Sequence, residues 1–140
     1  MAQAPTILGF RTELRDGTPV QVAPVGKEHR RLLEMGLEHL SAQSRYFRFF
    51  RPVSQLSEQT LDAFTNVDQI DHIAIGALDL THEEPYPVGV ARSIRMQGRP
   101  SDAEIAVAVI DSHHDRGLGT ILLAAVAHAA AARGVTAFVA

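Results

Sequence analysis

The sequence contains no cysteine. That excludes a disulfide framework, a thiolate nucleophile and cysteine-ligated zinc. It has no excess of positive charge either. Thirteen basic residues face sixteen acidic ones, a formal net charge of -3 with histidines neutral. A mildly acidic chain lacks the basic field that binds nucleic acid by releasing counterions, so no nucleic-acid partner is expected. Long apolar runs are missing too. None approaches the about 20 residues needed to span a bilayer, so no membrane partner is expected. Met1–Phe10 lacks the basic start and apolar core of a signal peptide. The expectation is a soluble, cytoplasmic protein. What is present suits a globular domain: 140 residues, 46% hydrophobic and 21% charged. This is enough chain for a single domain, 1–140, with a buried core.

The hydropathy pattern predicts a β-α-α-β-β-β-α-β order. Residues 1–18 read as an N-terminal arm ending in the Asp16-Gly17 turn. Val20–Val25 alternates as a strand. Lys27–Leu40 places Leu32, Leu33, Leu37 and Leu40 on one helical face, and Ser57–Phe64 suits a second helix with Ser57 as N-cap. His72–Leu78 and Val88–Arg95 read as a strand meander across a loop at Thr81–Pro87. Gly98–Asp102 reads as a turn. Glu104–Ile110 is apolar almost throughout, which predicts a central strand. Leu118–Arg133 is the strongest helix, with Leu118, Leu122, Ala125, Val126 and Ala129 on one face and Gly134 as its stop. Val135–Ala140 begins a fifth strand.

The segment that carries chemistry is Asp111–Thr120, between the apolar strand and the strong helix. Gly117 and Gly119 let backbone approach a ligand, and the helix start adds its positive dipole end, a setting for a pyrophosphate. By itself Gly-x-Gly before a helix is equally compatible with a plain tight turn. No Gly-Lys-Ser/Thr follows, so it is not a Walker loop, and the third glycine of a dinucleotide fingerprint is missing.

Ala103–Asp111 followed by Arg116-Gly117-Leu118-Gly119-Thr120, with Leu122-Leu123, resembles motif A of the GNAT N-acetyltransferase superfamily, Gln/Arg-x-x-Gly-x-Gly/Ala. His114 stands at the first motif position, where the family has Gln or Arg. Leu40-Ser41-Ala42-Gln43-Ser44-Arg45-Tyr46-Phe47-Arg48-Phe49-Phe50 is similar to a signature of bacterial GNAT domains, found alone and fused in protein lysine acetyltransferases. The resemblance implies a mixed, mostly antiparallel α/β sheet with flanking helices, here ending after the fifth strand. It implies acetyl-CoA as cofactor. His114, Asp115, Arg116, Gly117, Leu118, Gly119 and Thr120 would hold the pyrophosphate, and Val107, Val109 and Ile110 the pantetheine arm. It also implies transfer of acetyl to a primary amine, on a protein lysine or a small molecule, by direct attack.

Such transfer needs a base for the amine. Glu104 is the candidate, the alternative being a solvated strand-end carboxylate. Glu83 and Glu84 read as a solvated loop tip. His113 and His114 point in different directions and have no third ligand at metal spacing, so no metal is expected. His72 reads as a satisfied core or rim residue, and the Arg45–Arg51 cluster as core aromatics with outward arginines. The resemblance also implies closing elements beyond Ala140. Their absence from the sequence leaves three readings: a truncated chain, a homodimer completed through the last strand, or a non-catalytic acyl-CoA-binding module.

Overall fold

The computed structural model describes residues 5–38 and 65–139. The predicted second helix, the Leu40–Phe50 signature and the Arg45–Arg51 cluster lie outside them. The described residues form a six-stranded sheet in the order β1-β2-β3-β4-β5-β6. The strands are β1 (Phe10–Glu13), β2 (Pro19–Pro24), β3 (His72–Asp79), β4 (Pro87–Met96), β5 (Arg99–Val109) and β6 (Ala137–Val139). All neighbours are antiparallel except β5 and β6, which are parallel. A parallel pair needs a crossover. Here α2 (Leu118–Ala131) supplies it, while α1 (Arg30–Glu38) follows a short 3-10 turn at Lys27–His29.

Three expectations are corrected. The arm contains β1, paired to β2 from Phe10↔Val22 to Glu13↔Pro19. Phe10, Arg11 and Glu13 are all exposed, so this edge strand carries no alternating pattern to betray it. Six strands therefore replace the expected five. Second, β5 begins at Arg99, because the turn is confined to Gln97–Gly98, where Gly98 has φ +77°. Glu104 is thus mid-strand and does not open it. Third, β5 is next to the edge strand β6, not central. Its apolar run reflects burial at Ala103 on one face and Ala108 on the other, while Val107 is exposed.

The two sheet faces differ. Gly89 marks the face under α2: a Cβ there would stand 2.9 Å from a Leu122 methyl and 3.4 Å from one of Leu118. The absent side chain lets the helix sit close. Leu118, Leu122, Val126 and Ala130 are buried against Val22, Ile73, Ile75 and Ala91, the apolar core. On the opposite face, cross-strand rows run Gly76–Val90–Ala108, Ala74–Arg92–Ala106 and His72–Ile94–Glu104. Leu32, Leu33 and Gly36 of α1 cover the first row, enclosing an apolar cavity of about 110 Å³. The helix α2 ends as expected: Gly134 takes φ +92°, and Val135 N–H reaches Ala130 O (3.1 Å) while Gly134 N–H reaches Ala131 O (3.1 Å). This is a Schellman closure, which needs a residue free to adopt the left-handed region.

Candidate acyl-donor site

The loop between β5 and α2 begins with a 3-10 turn, Asp111–His113. His113 is buried, and its Nε2 lies 2.8 Å from Asp79 Oδ2 at the end of β3. Desolvation works to raise the Asp79 pKa, but hydrogen bonds from Thr81 and His113 outweigh it and bring it down to about 2. The carboxylate is therefore ionised and accepts, so Nε2 carries the proton. Ser112 Oγ faces Nδ1 of the same ring at 2.8 Å. His82 approaches the carboxylate at 3.9 Å and stacks on Tyr86. This buried latch pins the loop to the sheet. Sequence reasoning missed Asp79, since nothing in the chain order links it to residue 113.

Beyond the latch the backbone reverses. Asp115 adopts φ +60° and Gly117 φ +90°. Gly117 is the N-cap of α2, and no side chain caps it. Because helical bonding starts with Ile121 N–H to Gly117 O (3.1 Å), the N–H groups of Leu118, Gly119 and Thr120 have no intrahelical partner. They front a cleft of about 330 Å³, lined also by Arg15, Val109, His114 and Asp115. A Cβ added to Gly119 would meet nothing within 4 Å, so a side chain there would fill the cleft and not the protein. Open N–H groups at a helix start suit a phosphate group.

The motif residues are brought together in different capacities. Gly117, Gly119, Thr120, Asp115 and His114 line the cleft, as does the buried Leu118. The Arg116 side chain instead pairs with Asp16 at 3.2 Å. His114 takes a further role, its Nε2 lying 2.7 Å from Val109 O, which only a protonated Nε2 can satisfy.

The edge of β5 continues from this cleft. Ile110 N–H donates to Val88 O (3.0 Å), and Ile110 itself is a core residue. By antiparallel alternation, Val109 and Val107 then turn their N–H and C=O groups away from β4. β6 is in register with Asp102–Glu104 only, so among the described residues no strand covers the edge at Val107 and Val109. Glu104 is half-buried on the opposite face, in the row with Ile94 and His72. It lies five positions before Val109, about 17 Å along an antiparallel strand. One row on, Arg92 Nη1 donates to His72 Nε2 (3.0 Å), which leaves His72 neutral with its proton on Nδ1. Burial first, and then the Arg92 charge, lower its pKa to about 4. Glu83 and Glu84 are exposed. Among the described residues no group of three or more His, Asp or Glu could hold a metal ion, and no helix is long and apolar enough to cross a membrane.

The chain is similar in sequence and fold to known proteins. Residues 37–140 match the model of the acetyltransferase (GNAT) family. An acetyltransferase of Pseudomonas aeruginosa is 28% identical over 110 residues, which cover 79% of this chain. The match spans 59% of that relative's length. Among solved structures, the GNAT domain of S. lividans PAT superposes with TM-score 0.84 at 29% identity, covering 97% of this chain and 79% of that one. A diaminobutyrate acetyltransferase from Paenibacillus lautus, solved with its substrate and coenzyme A, has TM-score 0.57 at 18% identity. It covers 85% of this chain and 63% of its own, a likeness of fold alone. With the family match extending over the β5–loop–α2 unit and most of the sheet, the chain belongs to the acetyltransferase (GNAT) family.

Proposed function

We propose that this chain transfers the acetyl group of acetyl-CoA to a primary amine, on a protein lysine or a small molecule, by direct attack. The observation that carries the reading is the continuity of two features. An uncapped helix start with an open Gly119 meets a strand edge where, among the described residues, no strand covers the Val107 N–H and C=O or the Val109 N–H, the Val109 C=O being held by His114. The first suits the pyrophosphate of the donor and the second the amides of its pantetheine arm. Arg116, Leu118 and Thr120 complete the loop in this reading, and Ile110 anchors the strand end.

The edge leads back along β5 towards Glu104. There the amine nitrogen attacks the thioester carbonyl carbon, the C–S bond breaks, and the sulfur leaves as thiolate. Glu104 accepts the amine proton, directly or through water. An edge N–H of β5 is suited to polarise the carbonyl oxygen. The thiolate then takes a proton from solvent or an acid.

The test begins with calorimetric titration of acetyl-CoA, followed by turnover assays on lysine peptides and small amines. Glu104→Gln is expected to lower turnover by about 10²–10⁴ while leaving acetyl-CoA affinity unchanged. Undiminished turnover would remove Glu104 from the chemistry. Saturable binding without turnover on any amine would instead make this an acyl-CoA-binding module.

A further inference from the structure

The cleft contains one residue from outside the β5–loop–α2 segment. Arg15 lies in the turn between β1 and β2, about a hundred residues before the loop in sequence. Its main-chain N–H donates to Arg116 O (3.0 Å), which ties the turn to the loop. Its side chain folds over Gly117: a Cβ at that position would stand 3.3 Å from Arg15 Nε. The guanidinium therefore lines the cleft, beside the open N–H groups of α2.

The charges around it are already assigned. Asp16, its neighbour, pairs with Arg116 and accepts hydrogen bonds from Thr18 N–H (3.0 Å) and Thr18 Oγ1 (2.7 Å). His113 is engaged with Asp79, and His114 with Val109 O and, at 3.9 Å, with Asp111. Arg15 forms no ion pair among the described residues. Asp115 places a carboxylate on the same cleft, so the helix start alone offers weak attraction to a polyanion. Arg15 is the residue that turns this balance positive. Arginine also presents a planar fork suited to two phosphate oxygens at once.

We propose that Arg15 is a phosphate ligand of the cleft, its guanidinium binding the donor's pyrophosphate opposite the N–H groups of Leu118, Gly119 and Thr120. This inference rests on the acyl-CoA reading above and adds a binding residue to it. A segment that reads from sequence as an arm thereby becomes part of the donor site.

The test compares wild type, Arg15→Gln and Arg15→Lys by calorimetric titration with CoA, dephospho-CoA and pantetheine. Arg15 is exposed, so the variants should keep the wild-type melting temperature, which is checked on the same samples. Arg15→Gln is expected to weaken CoA and dephospho-CoA alike, by about tenfold or more, with no effect on pantetheine, which has no pyrophosphate. Arg15→Lys should recover part of the loss, because it keeps the charge and loses the fork. Equal CoA affinity in wild type and Arg15→Gln would overturn the Arg15 assignment and leave the acyl-CoA site standing. A loss confined to CoA would overturn the pyrophosphate assignment in favour of the 3′-phosphate. Wild type that binds neither nucleotide would overturn the acyl-CoA reading, and this inference with it.

Discussion

Gly117 and Gly119 serve the same loop for different physical reasons. Gly117 is at φ +90°, where an alanine would cost about 1–2 kcal/mol. Gly119 is under no such constraint: it is helical and its missing Cβ faces open space. Gly119→Leu should therefore leave stability unchanged or raise it by up to about 0.8 kcal/mol, since leucine favours a helix over glycine. The same variant should weaken acetyl-CoA by about tenfold or more, about 1.4 kcal/mol. Urea unfolding and calorimetry on one preparation would check both, and retained affinity would separate the cleft from the donor. His72 gives a pH dependence whose sign is set first by its burial and then by the Arg92 charge. Its folded pKa is lowered to about 4 from 6.5, so the unfolded chain takes the proton first as pH falls. Its contribution is complete above pH 6.5 and is lost on descending towards pH 4. His72→Gln keeps an acceptor for Arg92 and should lose less stability than wild type between pH 7 and 4.5 in urea unfolding. Parallel losses would show that folding does not lower the His72 pKa.

At the scale of elements, the donor loop is held by a latch between distant segments. Asp79 ends β3 and His113 ends the 3-10 turn after β5, and both are buried. Asp79→Ala would leave the buried His113 Nε2–H without its acceptor, at a cost of about 1–3 kcal/mol. Because His113 lines the cleft, the variant should also weaken acetyl-CoA. Melting and titration would report the two effects, and a destabilised protein with full affinity would confine the latch to folding. Gly89 performs the complementary task beneath α2, where a methyl group would press on Leu122. The helix start that faces the cleft is thus set from both sides, by the latch at the loop and by close packing on β4.

In the whole molecule, a sheet that is antiparallel from β1 to β5 ends in one short parallel partner, β6. Among the described residues, that arrangement leaves part of an interior strand with no strand along its edge, between a helix-start cleft on one side and Glu104 on the other. Much of this was legible in the chain. The strands at His72–Asp79 and Pro87–Met96, the α2 helix with its Gly134 stop and the Gly-x-Gly loop each follow from local pattern, because hydrophobic period and turn residues act over a few positions. β1 was not legible: its exposed residues have no period, and only pairing with β2 makes them a strand. The place of β5 beside the edge was also hidden, because an apolar run records burial and not neighbour order. The sequence by itself determined the β3 and β4 strands, the α2 helix, the loop and the family. Only the tertiary structure decided that Arg15, Asp79 and His113 meet at that loop. Contacts between residues tens of positions apart are set by strand order and register, which no local pattern encodes.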